Sequence, residues 1–194
     1  MNFLAHVYLS FEDPEILVGN FIGDFVKGKA VNDYDGGILK GILLHREIDE
    51  YTDSHPTVLE TKKRLRPIYH HYAPVIADVF YDHFLASLWT DYHTTPLLEY
   101  TNWAYSVIKK QGDLVPPKAR HMLTYMARDN WLYNYQHIAG IDQALTGMSR
   151  RTPFNSGMEH ASEELQRHYE AYKAEFVSFF PKLITHCQKK LESL

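Results

Sequence analysis

Apolar residues recur at three- and four-residue intervals along almost the whole chain, and no stretch sustains an alternation of period two. That period predicts helices throughout and no sheet. Asp13-Pro14 predicts a helix start, with the apolar run reaching about Val26 and Gly28 as a stop. A loop of Asp33, Asp35, Gly36 and Gly37 precedes a long helix from about Ile38 to Asp53. Pro56 opens a helix to about Tyr69, and Pro74 opens another to Trp89. Further helices are predicted at about Leu97 to Lys110, Pro117 to Asp129, Trp131 to Leu145 and Met158 to Phe180, with Pro181 breaking the last one. With no repeat or low-complexity linker, residues 1–194 read as one all-α domain, a multi-helix bundle.

Two helical stripes are interrupted by side chains that do not belong in a core. On a 3.6-residue helix Asp49 lies about 40° from His45, beside Ile38, Ile42 and Ile48. Asp82 falls among Val75, Val79, Leu85, Ala86 and Trp89, with Asp78 one turn earlier and His83 immediately after. A carboxylate in an apolar stripe is too costly to leave unpaired. Two such pairs at i, i+4 spacing point to a cation between the helices, and a divalent metal satisfies several carboxylates and imidazoles together.

Composition narrows the class. The chain has 194 residues and a net charge of −4, which argues against a dedicated nucleic-acid binder. The single cysteine, Cys187, excludes an internal disulfide and fits a reducing compartment. No apolar run is long enough to span a bilayer, and the N-terminal residues lack the marks of a signal peptide, so the expected location is the cytoplasm without membrane insertion.

Several strings also carry a resemblance. N-F-L-A-H from Asn2, G-N-F-I-G-D-F-V-K-G from Gly19, G-I-L-L-H-R-E-I-D-E-Y-T-D from Gly41 and D-V-F-Y-D-H-F-L from Asp78 resemble the bacterial acyl carrier protein phosphodiesterases. W-L-Y-N-Y from Trp131, G-M-S-R-R-T-P from Gly147 and H-Y at His168 extend the likeness toward the C-terminus. The resemblance implies hydrolysis of the phosphodiester that links 4′-phosphopantetheine to a serine of holo acyl carrier protein, giving the apo form. It implies a fold distantly like the HD-type phosphohydrolases, activated by Mn²⁺ or Mg²⁺. By matching motif it places Asp24, His45, Asp49, Asp82 and His83 at the metal, with His6 and Asp78 as neighbours. The adjacent pair reads Asp82-His83, the reverse of the His-Asp order that names that superfamily.

The chemistry agrees with the residues. A metal lowers the pKa of a bound water and polarises a phosphoryl oxygen, and carboxylate and imidazole ligands suit Mn²⁺ or Mg²⁺. Arg46 and Lys27 are expected to bind phosphate beside His6, while Asp24, Arg46 and Asp78 are the expected catalytic groups. An acidic carrier protein meeting a chain of net negative charge needs a local basic patch. Lys62, Lys63, Arg64 and Arg66 are the first candidate for that patch, Arg150 and Arg151 the second. Two other readings of the same residues stand beside this one: an HD-like hydrolase of nucleotides or small phosphoesters, and a non-catalytic helical ligand-binding protein.

Overall fold

A computed structural model describes residues 1–194 and contains helices and turns without any strand. Twelve helices follow in order: α1 (Phe3–Tyr8), α2 (Pro14–Ile22), α3 (Gly36–Ser54), α4 (Pro56–Tyr69), α5 (Ala73–Ser87) and α6 (Trp89–Tyr92). Then come α7 (Leu97–Lys110), α8 (Pro117–Arg128), α9 (Trp131–Asn134), α10 (Ile138–Ser149), α11 (Ala161–Arg167) and α12 (Tyr169–Leu191). No helix is long and apolar enough to cross a membrane.

The proline starts are where the sequence puts them. Asp13 caps α2 by accepting from the Glu15 and Ile16 amides, both at 3.0 Å, and Pro14 fills the first turn where no amide hydrogen is needed. The helix stops at Ile22, short of the expected Val26, and a 3₁₀ turn of Gly23–Phe25 takes over. α2 and α3 pack so closely that a Cβ on Gly19 would come within 2.0 Å of the Ile38 carbonyl oxygen, and one on Gly41 within 2.2 Å of that of Ile16. Glycine is required at both positions for the backbones to touch.

Further boundaries differ from expectation, and the helix expected to reach Trp89 ends at Ser87. The stretch from Trp131 is split into α9 and α10, because the Tyr135 carbonyl turns out of the helix to accept from His83 Nδ1 at 2.8 Å. The stretch from Met158 divides at His168 into α11 and α12. Pro181 does not end the last helix. Phe176, Phe179, Phe180 and Leu183 are all fully buried on either side of it, and continuous packing of that face outweighs a proline penalty of about 3 kcal/mol.

One contiguous cluster of 49 buried apolar residues extends from Met1 to Cys187. α5 lies at its centre, with every residue from Val79 to Ala86 buried, while Val75 at its exposed start leaves the stripe. The helices α1, α4, α10 and α12 surround α5.

Candidate metal centre

His45 and Asp49 stand one turn apart on α3, with Nε2 of the ring 3.3 Å from Oδ2 of the carboxylate. Gly23 lets the following turn close over the imidazole: a Cβ there would lie 2.3 Å from the His45 ring. That closure brings Asp24 Oδ1 to 3.5 Å from His45 Nε2, although the Asp24 side chain stays 66% exposed. α1 supplies the third member. His6 stacks on His45 with ring centroids 4.0 Å apart and holds its Nε2 3.2 Å from Asp49 Oδ1.

Asn20 on α2 orients both rings. Its side-chain nitrogen donates to the His6 carbonyl at 2.7 Å and to Ser10 Oγ at 3.2 Å, which leaves its Oδ1 as acceptor for His6 Nδ1–H at 2.8 Å. Its backbone carbonyl accepts from His45 Nδ1–H, also at 2.8 Å. With both Nδ1 atoms protonated, both Nε2 lone pairs are turned inward.

The surroundings of those lone pairs decide what the site wants. His45 Nε2 is buried without a hydrogen-bond partner, and its neighbours are the carboxylates of Asp24 and Asp49. His6 Nε2 lies beside Asp49 and, at 3.2 Å, the Met1 carbonyl. A lone pair facing only oxygens is answered by a cation or a proton between them. At His45 a proton takes that place: burial opposes it, but Asp24 and Asp49 overcome burial and raise His45 to about 9. Burial and the adjacent His45 push His6 down to about 4, so it stays neutral. Burial also disfavours the Asp49 anion, yet His45, His6 and the Met1 amino group hold its carboxyl well below the usual range. One ligand atom each from His6, His45 and Asp49 lie within 4.8 Å of one another. Two metal–ligand bonds of about 2.0–2.6 Å can bridge that distance.

The other expected groups are distributed around this centre. Asp78 Oδ1 is 3.3 Å from the Met1 amino group, which also reaches Asp49 at 3.3 Å. Burial, aided by the Asp49 charge, raises the Asp78 carboxyl above the ordinary range. Lys27 and Arg46 are exposed on the Asp24 side, where Arg46 approaches the Val26 carbonyl at 3.5 Å.

Asp82 and His83 require correction. Asp82 is fully buried, but its two oxygens accept the Leu4 amide at 2.7 Å and the Ala5 amide at 3.1 Å. It anchors the N-terminus of α1, whose free amides favour an anion there. Burial pushes its carboxyl up to about 7, while the two amides pull the other way. His83 points elsewhere, donating from Nδ1 to the Tyr135 carbonyl and placing Nε2 3.0 Å from the Tyr169 hydroxyl. Both ring nitrogens are used, and neither faces the cluster. His6, expected only as a neighbour, lies in the cluster with His45 and Asp49, and Asn20 was not anticipated at all. The one hint of Asn20 is its place one turn before Asp24.

The first basic patch is also smaller than expected. Lys62 is only 4% exposed and pairs with Asp53 at 2.6 Å. Arg64 is committed to Glu175 and lies over the Tyr172 ring, 5.3 Å from its centroid. Lys63 and Arg66 are exposed, Lys63 within 3.7 Å of Glu60. Arg150 and Arg151 are exposed and form no ion pair, Arg151 donating only to the Gly147 carbonyl at 3.0 Å.

Residues 1–183 match the acyl carrier protein phosphodiesterase family. The chain belongs to that family. Relatives named acyl carrier protein phosphodiesterase include those of Enterobacter sp. (strain 638) and Klebsiella pneumoniae (strain 342), each 33% identical to this chain. In both cases the likeness covers 98% of this chain and 99% of the relative. The Photorhabdus laumondii relative is 32% identical over 98% of this chain and 96% of its own length. No solved structure matches the chain.

Proposed function

We propose that this protein is a metal-dependent phosphodiesterase that releases 4′-phosphopantetheine from holo acyl carrier protein, working as a single helical domain in the cytoplasm. The observation that carries the metal dependence is the pair of buried imidazoles, locked at Nδ1 by Asn20, whose Nε2 atoms face only oxygens. His6, His45 and Asp49 would hold the ion, with Asp24 at its open side. Mn²⁺ or Mg²⁺ fits this donor set of imidazole and carboxylate without thiolate. When bound, the ion supplies a water of lowered pKa and charge neutralisation at phosphorus.

The chain's own groups account for the rest. Lys27 and Arg46 at the exposed rim bind the phosphate oxygens. Asp78, whose carboxyl burial raises above the ordinary range, would donate a proton to the serine oxygen as the phosphorus–oxygen bond breaks. Water adds to phosphorus, so the products are the serine hydroxyl of apo carrier protein and 4′-phosphopantetheine. Asp82 acts at a distance by fixing α1 and therefore His6.

Conversion of holo to apo carrier protein on a gel, with and without chelator and added Mn²⁺, tests the proposal. Chelation should stop conversion, Mn²⁺ should restore it, and His45→Ala should be inactive at every metal concentration. Cleavage of a nucleotide panel with holo carrier protein untouched would reject the substrate, and full activity in chelator would reject the metal.

A further inference from the structure

A cavity of about 410 Å³ lies between α8, α9 and α10, with Phe3 of α1 in its wall. Its walls include Phe3, Trp131, Tyr135 and Met148, with Gln143 and Arg151 as polar members. Phe3 stands three residues before His6 on α1, a rise of about 4.5 Å, so one short helix serves both the cavity and the ligand group. Asn2 makes the second link, donating to the Tyr135 hydroxyl at 3.3 Å. The segment Met1–Phe3 therefore runs from the carboxylates, where the Met1 amino group meets Asp49 and Asp78, to the cavity wall at Phe3.

The lining describes its occupant. Aromatic and thioether walls favour apolar chain segments. The Gln143 amide makes no protein hydrogen bond, and of the Arg151 guanidinium only Nε is engaged, with the Gly147 carbonyl. Those free donors suit amide carbonyls spaced along an otherwise apolar chain. A volume within the 300–1,000 Å³ typical of small-molecule sites, apolar with a few polar groups, fits a flexible organic arm better than a folded partner. A simple hydrocarbon chain would leave the polar members unanswered.

We propose that this cavity binds the pantetheine arm of the carrier protein, holding its amides and thiol end while the phosphodiester lies at the His6–His45–Asp49 centre. The inference rests on the proposed phosphodiesterase reading and adds where the enzyme gains its hold on the leaving product. It makes recognition depend on the arm as well as on the protein that carries it.

Gly147 provides the test. It lines the cavity on α10, and a Cβ added there meets nothing within 4 Å. Gly147→Leu therefore fills the cavity without backbone conflict and favours the helix. Gln143→Trp, at an exposed position on the same helix, blocks the opening and serves if the first variant melts early. Calorimetric titration with free pantetheine should saturate in the wild type and weaken at least tenfold in either folded variant. On holo carrier protein the KM should rise at least tenfold, with kcat within threefold. An unchanged pantetheine isotherm and unchanged KM in a folded variant would overturn the proposal while leaving the phosphodiesterase reading intact. Saturation by octanoate but not pantetheine would overturn it as well, assigning the cavity to acyl chains. A wild type that binds pantetheine yet never converts holo carrier protein would sink the phosphodiesterase reading instead, and with it the role given to the cavity.

Discussion

Replacing Asp82 by alanine removes the acceptor of two backbone amides at once. Both oxygens are used, by Leu4 at 2.7 Å and Ala5 at 3.1 Å, in a fully buried position. An amide left unpaired in such a place costs about 1–3 kcal/mol, so the pair costs about 2–6 kcal/mol. α1 has six residues, too few to persist unaided, and the loss should appear in full. Against a total stability of about 5–15 kcal/mol this is a large fraction. With a urea m-value of about 2 kcal/mol/M the midpoint should fall by about 1–3 M. Asp82→Asn keeps one acceptor oxygen and should lose about half as much. Urea titrations followed by far-ultraviolet circular dichroism measure both variants, and Mn²⁺ titration reads the metal site independently. A ligand and an anchor differ in that comparison. If Asp82→Ala matched the wild-type midpoint but bound Mn²⁺ far more weakly, Asp82 would be a ligand and the anchoring argument would be wrong.

Asn20→Ala frees the His6 ring from its Nδ1 restraint while the backbone carbonyl still holds His45, and Mn²⁺ affinity measured by titration should fall about 10–100-fold with the fold retained. Gly41→Ala forces a Cβ against the Ile16 carbonyl oxygen at 2.2 Å and should cost about 1–3 kcal/mol in urea unfolding; a neutral result would mean that α2 and α3 separate freely. Lys63→Glu with Arg66→Glu should slow association with holo carrier protein in stopped flow, with less effect at high salt, whereas Arg64→Glu should chiefly lower stability, by about 1–2 kcal/mol, because Glu175 loses its partner. Burial pushes the Cys187 thiol up to about 12 from an ordinary value of 9.0. The unfolded chain therefore releases this proton first, and between those values stability should fall as pH rises; alkylation of Cys187 at mildly alkaline pH should be blocked in the native protein and prompt in denaturant.

Helical period and proline starts were legible in the sequence because each depends on neighbours along the chain. The His45–Asp49 pair was legible for the same reason: four residues on a helix fix which side chains share a face. What a face meets is another matter. Asp82 shows the same i, i+4 spacing to Asp78 and the same apolar surroundings, yet its charge is answered by two amides of a helix 78 and 77 residues away. Burying a carboxylate demands a partner, but periodicity does not say whether that partner is an ion, an amide or a proton. His83 was drawn away by a carbonyl exposed only where α9 gives way to α10. His6 and Asn20 joined the centre because α1 and α2 pack across α3, and Lys62 left the surface because Asp53 was within reach. The chain's local order set the elements and one edge of the centre. Hydrogen-bond demands between distant segments, which only the packed helices reveal, chose the rest.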